Sequence, residues 1–181
     1  MNALAAGLSA PSQPTVQFAS VAQLTGSNVN EIIYSALQLI GFYPAFNELL
    51  QRTNGHNFYD NINTVYSGSF NDAALNAGVR RYSSDPAGVN YLAHYYDPNG
   101  HLGIPTLTLH TTQDPTVPFS QEAHYAAVVV GTGDSNFLVQ QSVNAYGHCN
   151  FQPQEILNSF QGLFLWVNYG IVPPSGDVTI P

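Results

Sequence analysis

Apolar positions along the 181 residues change their period near residue 100. Before that point they recur at intervals of three and four in short stretches: Val16 to Leu24, then Ile32, Ile33, Leu37, Leu39 and Ile40, then Phe46, Leu49 and Leu50. Such spacing predicts short helices. Asn28 or Asn30 is placed to cap the second of them, Gly41 to close it, and Tyr43-Pro44 to restart the chain. Asp72–Arg81 and Asp85–Tyr95 predict two more. Between them and Arg52 runs TNGHNFYDNINTVYSGSFND, turn chemistry almost throughout and expected to be an irregular surface excursion. After the turn Asp97-Pro98-Asn99-Gly100 the texture changes. Ile104–His110 predicts a strand, Ser120–Val130 a helix ending at Gly131-Thr132-Gly133, and Phe137–Val143 a second strand. Pro153–Tyr169 predicts an amphipathic helix with Ile156, Leu157, Phe160, Leu163, Phe164 and Val167 on one side. Strand, helix, strand, helix at short loop lengths calls for parallel strands covered by helices, an α/β arrangement.

This divides the chain into a lead-in over 1–15 rich in Ala, Ser and Pro, a helical and irregular segment over 16–100, and a βαβα unit over 101–181. The tail VPPSGDVTIP reads as extended. Length allows one domain with a real core, and 44% apolar residues argue against disorder. Charge narrows the partners. Only 8% of residues are charged, against about a quarter in typical chains, and Arg52, Arg80 and Arg81 are the only basic ones beside 11 acids, giving −8. No nucleic-acid partner is therefore expected, and an anionic membrane surface is a poor one, since phosphate binding needs clustered cations. No apolar run approaches the roughly 18 to 20 residues of a membrane span. The start lacks the basic region of a signal peptide, although a polar surface built from Asn, Gln, Ser and Thr leans toward an extracytoplasmic setting. The single cysteine, Cys149, rules out an internal disulfide and a Cys-based zinc site; it reads as a small hydrophobe or as half of a disulfide to another segment. His94, His101, His110 and His124 show no metal-ligand spacing, so no metal and no cofactor is expected.

Two polar groups sit where an α/β sheet places its chemistry, just past the carboxyl ends of consecutive strands. Asp114 follows the first and His148 the second. Alone, Asp114 reads as a turn aspartate bonding its own backbone ahead of Pro115, and His148 as a loop histidine. Together, a carboxylate that accepts from one ring nitrogen fixes the tautomer, stabilises the imidazolium and leaves the other nitrogen to take a proton from a nucleophile.

The run LTLHTTQDPTVPF, then AYGHCNF, then a last helix with Phe160 and Trp166, resembles the C-terminal portion of a serine α/β-hydrolase. That family orders its triad Ser, Asp or Glu, His along the chain; Asp114 with Val117-Pro118 matches the acid turn, and Gly147-His148 the base turn. The resemblance covers residues 103–170, and more weakly YDNINTVYSGSFNDAALNAGVRR, which is similar to cap segments of such enzymes. It implies a partial α/β-hydrolase fold, a helical cap segment followed by the βαβα unit, and cleavage of an ester or amide through an acyl-enzyme with Asp114 and His148 as acid and base. The family's Gly-x-Ser-x-Gly elbow does not occur. Gly7-Leu8-Ser9-Ala10-Pro11 lacks the second Gly, and Ser67-Gly68-Ser69-Phe70 fails on spacing. The nucleophile and the neighbouring strands are expected from residues outside this sequence, so that the isolated chain turns over little and associates with itself or a companion chain. The alternative is a non-catalytic half-domain that binds a partner or ligand. Tyr34, Phe42, Tyr43, Phe46, Phe58, Tyr59 and Tyr66 either pack a core or line an acyl or aryl pocket.

Overall fold

The computed structural model describes residues 13–180, with side-chain surroundings from residue 16 onward. The expected lead-in up to residue 12, and with it the Gly7–Pro11 segment, lies outside the described residues. The chain divides into two compact units, one ending at Asp97 and the other beginning at Pro98.

Among its described residues the first unit carries five helices: α1 (Gln13–Val21), α2 (Val29–Gly41), α3 (Tyr43–Arg52), α4 (Asp72–Gly78) and α5 (Pro86–Tyr95). The starts of α2, α4 and α5 follow from side-chain acceptors that satisfy first-turn amides, whereas α3 opens with Pro44 in its first turn and no side-chain cap. Asn28 accepts from the Glu31 amide while the Glu31 carboxylate reaches back to the Ser27 amide, a reciprocal cap. Asn71 and Asp85 cap α4 and α5. α4 stops at Gly78, short of the expected Arg81, because the next residues are drawn into the excursion over 53–71. The Arg81 guanidinium donates to the carbonyls of Asn61 and Thr64. Asn61, itself buried, donates from Nδ2 to Arg80 O and accepts at Oδ1 from the Tyr82 amide at 2.6 Å. Asn57 likewise donates to Tyr59 O and Ser83 O. The turn-rich excursion is thus a closed polar network in which amide side chains do the bonding that a sheet ladder would otherwise do.

The second unit is a mixed α/β arrangement: β1 (Thr106–Gln113), α6 (Ser120–Thr132), β2 (Leu138–Tyr146), α7 (Pro153–Tyr169) and β3 (Gly176–Asp177), with a single 3-10 turn ahead of β2. The three strands are parallel in the order β1-β2-β3. β1 begins two residues later than expected, after Pro105, and runs three residues further, to Gln113. β2 also runs on to Tyr146. α7 has the expected bounds, its first turn closed by the Glu155 carboxylate on the Gln152 amide. The tail adds the third strand: Val178 N donates to Ser142 O, and buried Glu155 also accepts from Ile180 N.

Glu122 has a task beyond its place in the first turn of α6. Its carboxylate accepts from Thr108 Oγ1 and from Gln140 Nε2, tying α6 to β1 and β2 at once. α7 departs from the amphipathic expectation in which way it faces. Glu155, Ser159 and Trp166 are buried, whereas Phe160 is 67% exposed and Ile156, Leu157, Phe164 and Val167 are exposed with it.

Within the first unit, α5 crosses the excursion at Gly88, where an added Cβ would meet His56 O at 2.8 Å and Asn57 O at 2.9 Å. Both are backbone atoms fixed by the network, so Gly88→Ala should cost about 1–3 kcal/mol. Gly41→Ala, into open space at the end of α2, should be neutral or mildly stabilising. Urea unfolding of the two variants against the parent measures the difference; equal stability would contradict the close packing of α5 on residues 56–57.

Candidate active site

Asp114 sits one residue beyond β1 and is 4% exposed. Its two oxygens have separate partners. Oδ1 accepts from the Thr116 amide at 2.7 Å and the Val117 amide at 2.9 Å, the local turn that an Asp before Pro favours. Oδ2 lies 2.7 Å from His148 Nδ1. The carboxylate therefore holds its own loop with one oxygen and the histidine with the other.

His148 sits two residues beyond β2, and its side chain is 47% exposed. Gly147 before it has φ +118°, where a Cβ would be strained and would press on Asn150. Gly147 N donates to Gln113 O at 3.2 Å and Gly147 O accepts from Thr111 Oγ1 at 2.6 Å. Both ends of the pair are thus set by the last residues of β1. With Nδ1–H donating to the ionised Asp114, the lone pair stands on Nε2, and among the described residues no hydroxyl is hydrogen-bonded to that atom. Chemically, this is a histidine in a fixed tautomer with a free, solvent-reachable basic nitrogen and a buried counter-charge behind it.

Burial pushes the Asp114 carboxyl pKa up, but the Val117 amide, the His148 ring and the Thr116 amide together outweigh it and hold the group below the ordinary carboxylate range.

The remaining candidates fall elsewhere. Cys149 is a free, exposed thiol with φ +54°. His110 donates from Nδ1 to Thr111 O and packs 5.7 Å from Phe119, the residue ahead of α6. His101 approaches Asp134 at 3.5 Å on the surface, and His94 packs against Tyr95. Ser69 bonds Asp72 in the turn before α4. Among the described residues no group of three or more His, Cys, Asp and Glu comes together to hold a metal ion, and no helix is long and apolar enough to cross a membrane.

Two features of the first unit escape the sequence reading in part. His56 Nδ1 lies 2.7 Å from Asp85 Oδ2, a second carboxylate–histidine pair between residues 29 apart. Asp85 is also the cap of α5, so the pair fastens the excursion to that helix; only the helix cap is readable from sequence. A cavity of about 570 Å³ is lined by Phe46, Leu50, Asn57, Tyr59 and Tyr82. Phe42, Tyr43 and Phe46 help to line another of about 450 Å³. Tyr82, absent from the aromatic candidates, stands in the first cavity with the Arg80 guanidinium 4.9 Å from its ring centre.

No family model matches the chain, and comparison with curated proteins and with solved structures returns no match.

Because the folded-state pKa of Asp114 lies below the unfolded value, its contribution to stability is complete above about pH 3.9 and is lost as pH falls through the folded value. Trp166, the single tryptophan and buried in α7, reports on this unit. Urea midpoints followed by its fluorescence should fall on the acid side for the parent chain. In Asp114→Asn that part of the decline should be missing; an identical acid limb in both proteins would contradict the depressed pKa.

Proposed function

We propose that Asp114 and His148 are the acid and base of a serine hydrolase of the α/β-hydrolase type, cleaving an ester or amide through an acyl-enzyme. The observation that supports it is the 2.7 Å contact from Asp114 Oδ2 to His148 Nδ1, made at the ends of adjacent parallel strands with Nε2 left free. A serine hydroxyl presented to Nε2 would give up its proton as it attacks the carbonyl carbon. The imidazolium, stabilised by Asp114, would return that proton to the leaving alkoxide or amine. Water, activated by the same nitrogen, would then release the acid. On this reading the serine comes from residues outside this sequence, and the helical first unit is the cap.

A second reading, a non-catalytic module that binds a ligand, is favoured by the cavity of about 570 Å³. Its walls are preorganised: Asn57 and Asn61 lock the segments bearing Tyr59 and Tyr82 to each other.

A fluorophosphonate probe separates the two. It should leave the isolated 181-residue chain unlabelled, and label a serine in a longer polypeptide or a co-purifying chain that contains these residues. His148→Ala should abolish that labelling. Labelling of a serine within the 181 residues would overturn the external nucleophile; labelling indifferent to His148 would overturn the dyad, and a serine unlabelled in every form would favour the binding module.

The exposed apolar side of α7 supports association with a companion chain or a second copy. The isolated chain should therefore elute as a concentration-dependent assembly in size-exclusion chromatography, and the pair of substitutions Phe160→Ser and Val167→Ser should shift it toward monomer. A monodisperse parent monomer that melts cooperatively would contradict this.

A further inference from the structure

The regular pairing of β1 with β2 is interrupted close to the dyad. Thr111 is opposite Val143 and Gln113 is opposite Tyr146, so two steps along β1 are matched by three along β2. A bulge of this kind breaks the ladder and re-aims the strand that carries the extra residue. Beyond it, the chain reaches Gly147, whose φ of +118° lies in a region open to glycine and to few other residues. The residue immediately before His148 is thus the most conformationally permissive kind, and past the bulge its amide keeps one backbone bond to β1, Gly147 N to Gln113 O at 3.2 Å.

The carbonyl end of Gly147 is held by a side chain. Thr111 is 1% exposed, and its hydroxyl donates to the Gly147 carbonyl at 2.6 Å across 36 residues of sequence. A β-branched side chain has little freedom at χ1, so the direction of that hydroxyl is fixed by β1 itself. The carbonyl it holds belongs to the peptide joining Gly147 to His148. Fixing that peptide plane fixes the N–Cα bond of His148, the stem of the residue whose imidazole reaches Asp114, which stands three residues after Thr111 at the same strand end. Thr112, the next residue, makes only an exposed 3.3 Å contact with Asn144.

We infer that Thr111 is a positioning residue for His148: its buried hydroxyl selects the one Gly147 conformation that delivers the imidazole Nδ1–H to Asp114. The inference rests on the acid–base reading of that pair, although its central test does not require turnover. In the ¹⁵N-labelled full chain, the Nδ1–H proton of His148 should give a far-downfield resonance. Thr111→Val, of nearly equal volume, should broaden or abolish it while the amide spectrum stays dispersed; Thr111→Ser should restore it, and Thr112→Val should leave it unchanged. In a serine-bearing form, fluorophosphonate labelling should slow roughly 10- to 100-fold in Thr111→Val, the scale of a small misplacement of a catalytic group, and recover in Thr111→Ser. A folded Thr111→Val with the parent resonance, or a folded Thr111→Ser that fails to restore it, would overturn the inference. Should Thr111→Val fail to fold, the parent chain decides. On warming, the Thr111 hydroxyl and His148 Nδ1–H resonances should broaden together, and their loss at separate temperatures would overturn it. If no serine is labelled in any form, the hydrolase reading fails while the resonance still judges Thr111.

Discussion

The end of β1 is the constraint on which the second unit turns. Within four residues it supplies a hydroxyl, a carbonyl and a carboxylate, from Thr111, Gln113 and Asp114, and all three act on Gly147 or His148. Parallel pairing brings this about, because it places the ends of both strands on one side of the sheet. The carboxylate can hold a histidine in a single tautomer because its other oxygen is already committed to two backbone amides. A carboxylate free to rotate would share its lone pairs with water; this one has a single oxygen facing the imidazole. The pull of those same amides explains why a buried acid stays ionised here.

Elements governed by local signals were legible in the sequence. α7 could be bounded at both ends because Pro153 fits the first turn, Glu155 closes it and Gly170 takes the left-handed cap. Asn28 and Asp85 announced their helices in the same way. Asp114 and His148 were readable as a pair because each follows a strand. Signals that depend on distant partners were not legible. The strands run past the expected His110 and Val143 through polar residues, among them Thr111 and Gln113, whose place in the sheet is fixed by pairing with Val143 and Tyr146 and not by hydrophobicity. β3 is a Gly-Asp pair with no strand character of its own, held to β2 through Ser142. Thr111 carries no chemical signature in sequence, since its importance lies wholly in what stands 36 residues away.

Composition explains how the first unit holds together with so few charges. Its excursion is rich in Asn, and an amide side chain can both donate and accept, so it can stand in for a neighbouring peptide group. Asn61 does this most completely: its backbone amide and both ends of its side chain bond residues 80–82. Arg81 adds a guanidinium that spends its donors on carbonyls and on Asn76 instead of a carboxylate, and lies 5.5 Å from the Tyr66 ring centre. Turn-forming sequence therefore yields a fixed platform here, and the aromatic side chains of Tyr59 and Tyr82 are displayed from it.

The orientation of α7 carries the last step. The side facing the sheet holds Glu155 and Ser159, and the Ser159 hydroxyl and Gln141 Oε1 are buried without a hydrogen-bond partner among the described residues. Each such atom costs on the order of 1–3 kcal/mol, while Ile156, Leu157, Phe160, Phe164 and Val167 gain nothing from their exposed positions. A helix free to choose would turn the other way, since burying even one such side chain is worth about 1.5–3 kcal/mol. The short loop from His148 to Pro153, the Glu155 contacts with Gln152 and Ile180, and the burial of Trp166 hold it in this orientation. The same contacts that place the helix also anchor the loop bearing His148. The unit thus keeps the geometry of its carboxylate–histidine pair while the apolar side chains of α7 stay exposed.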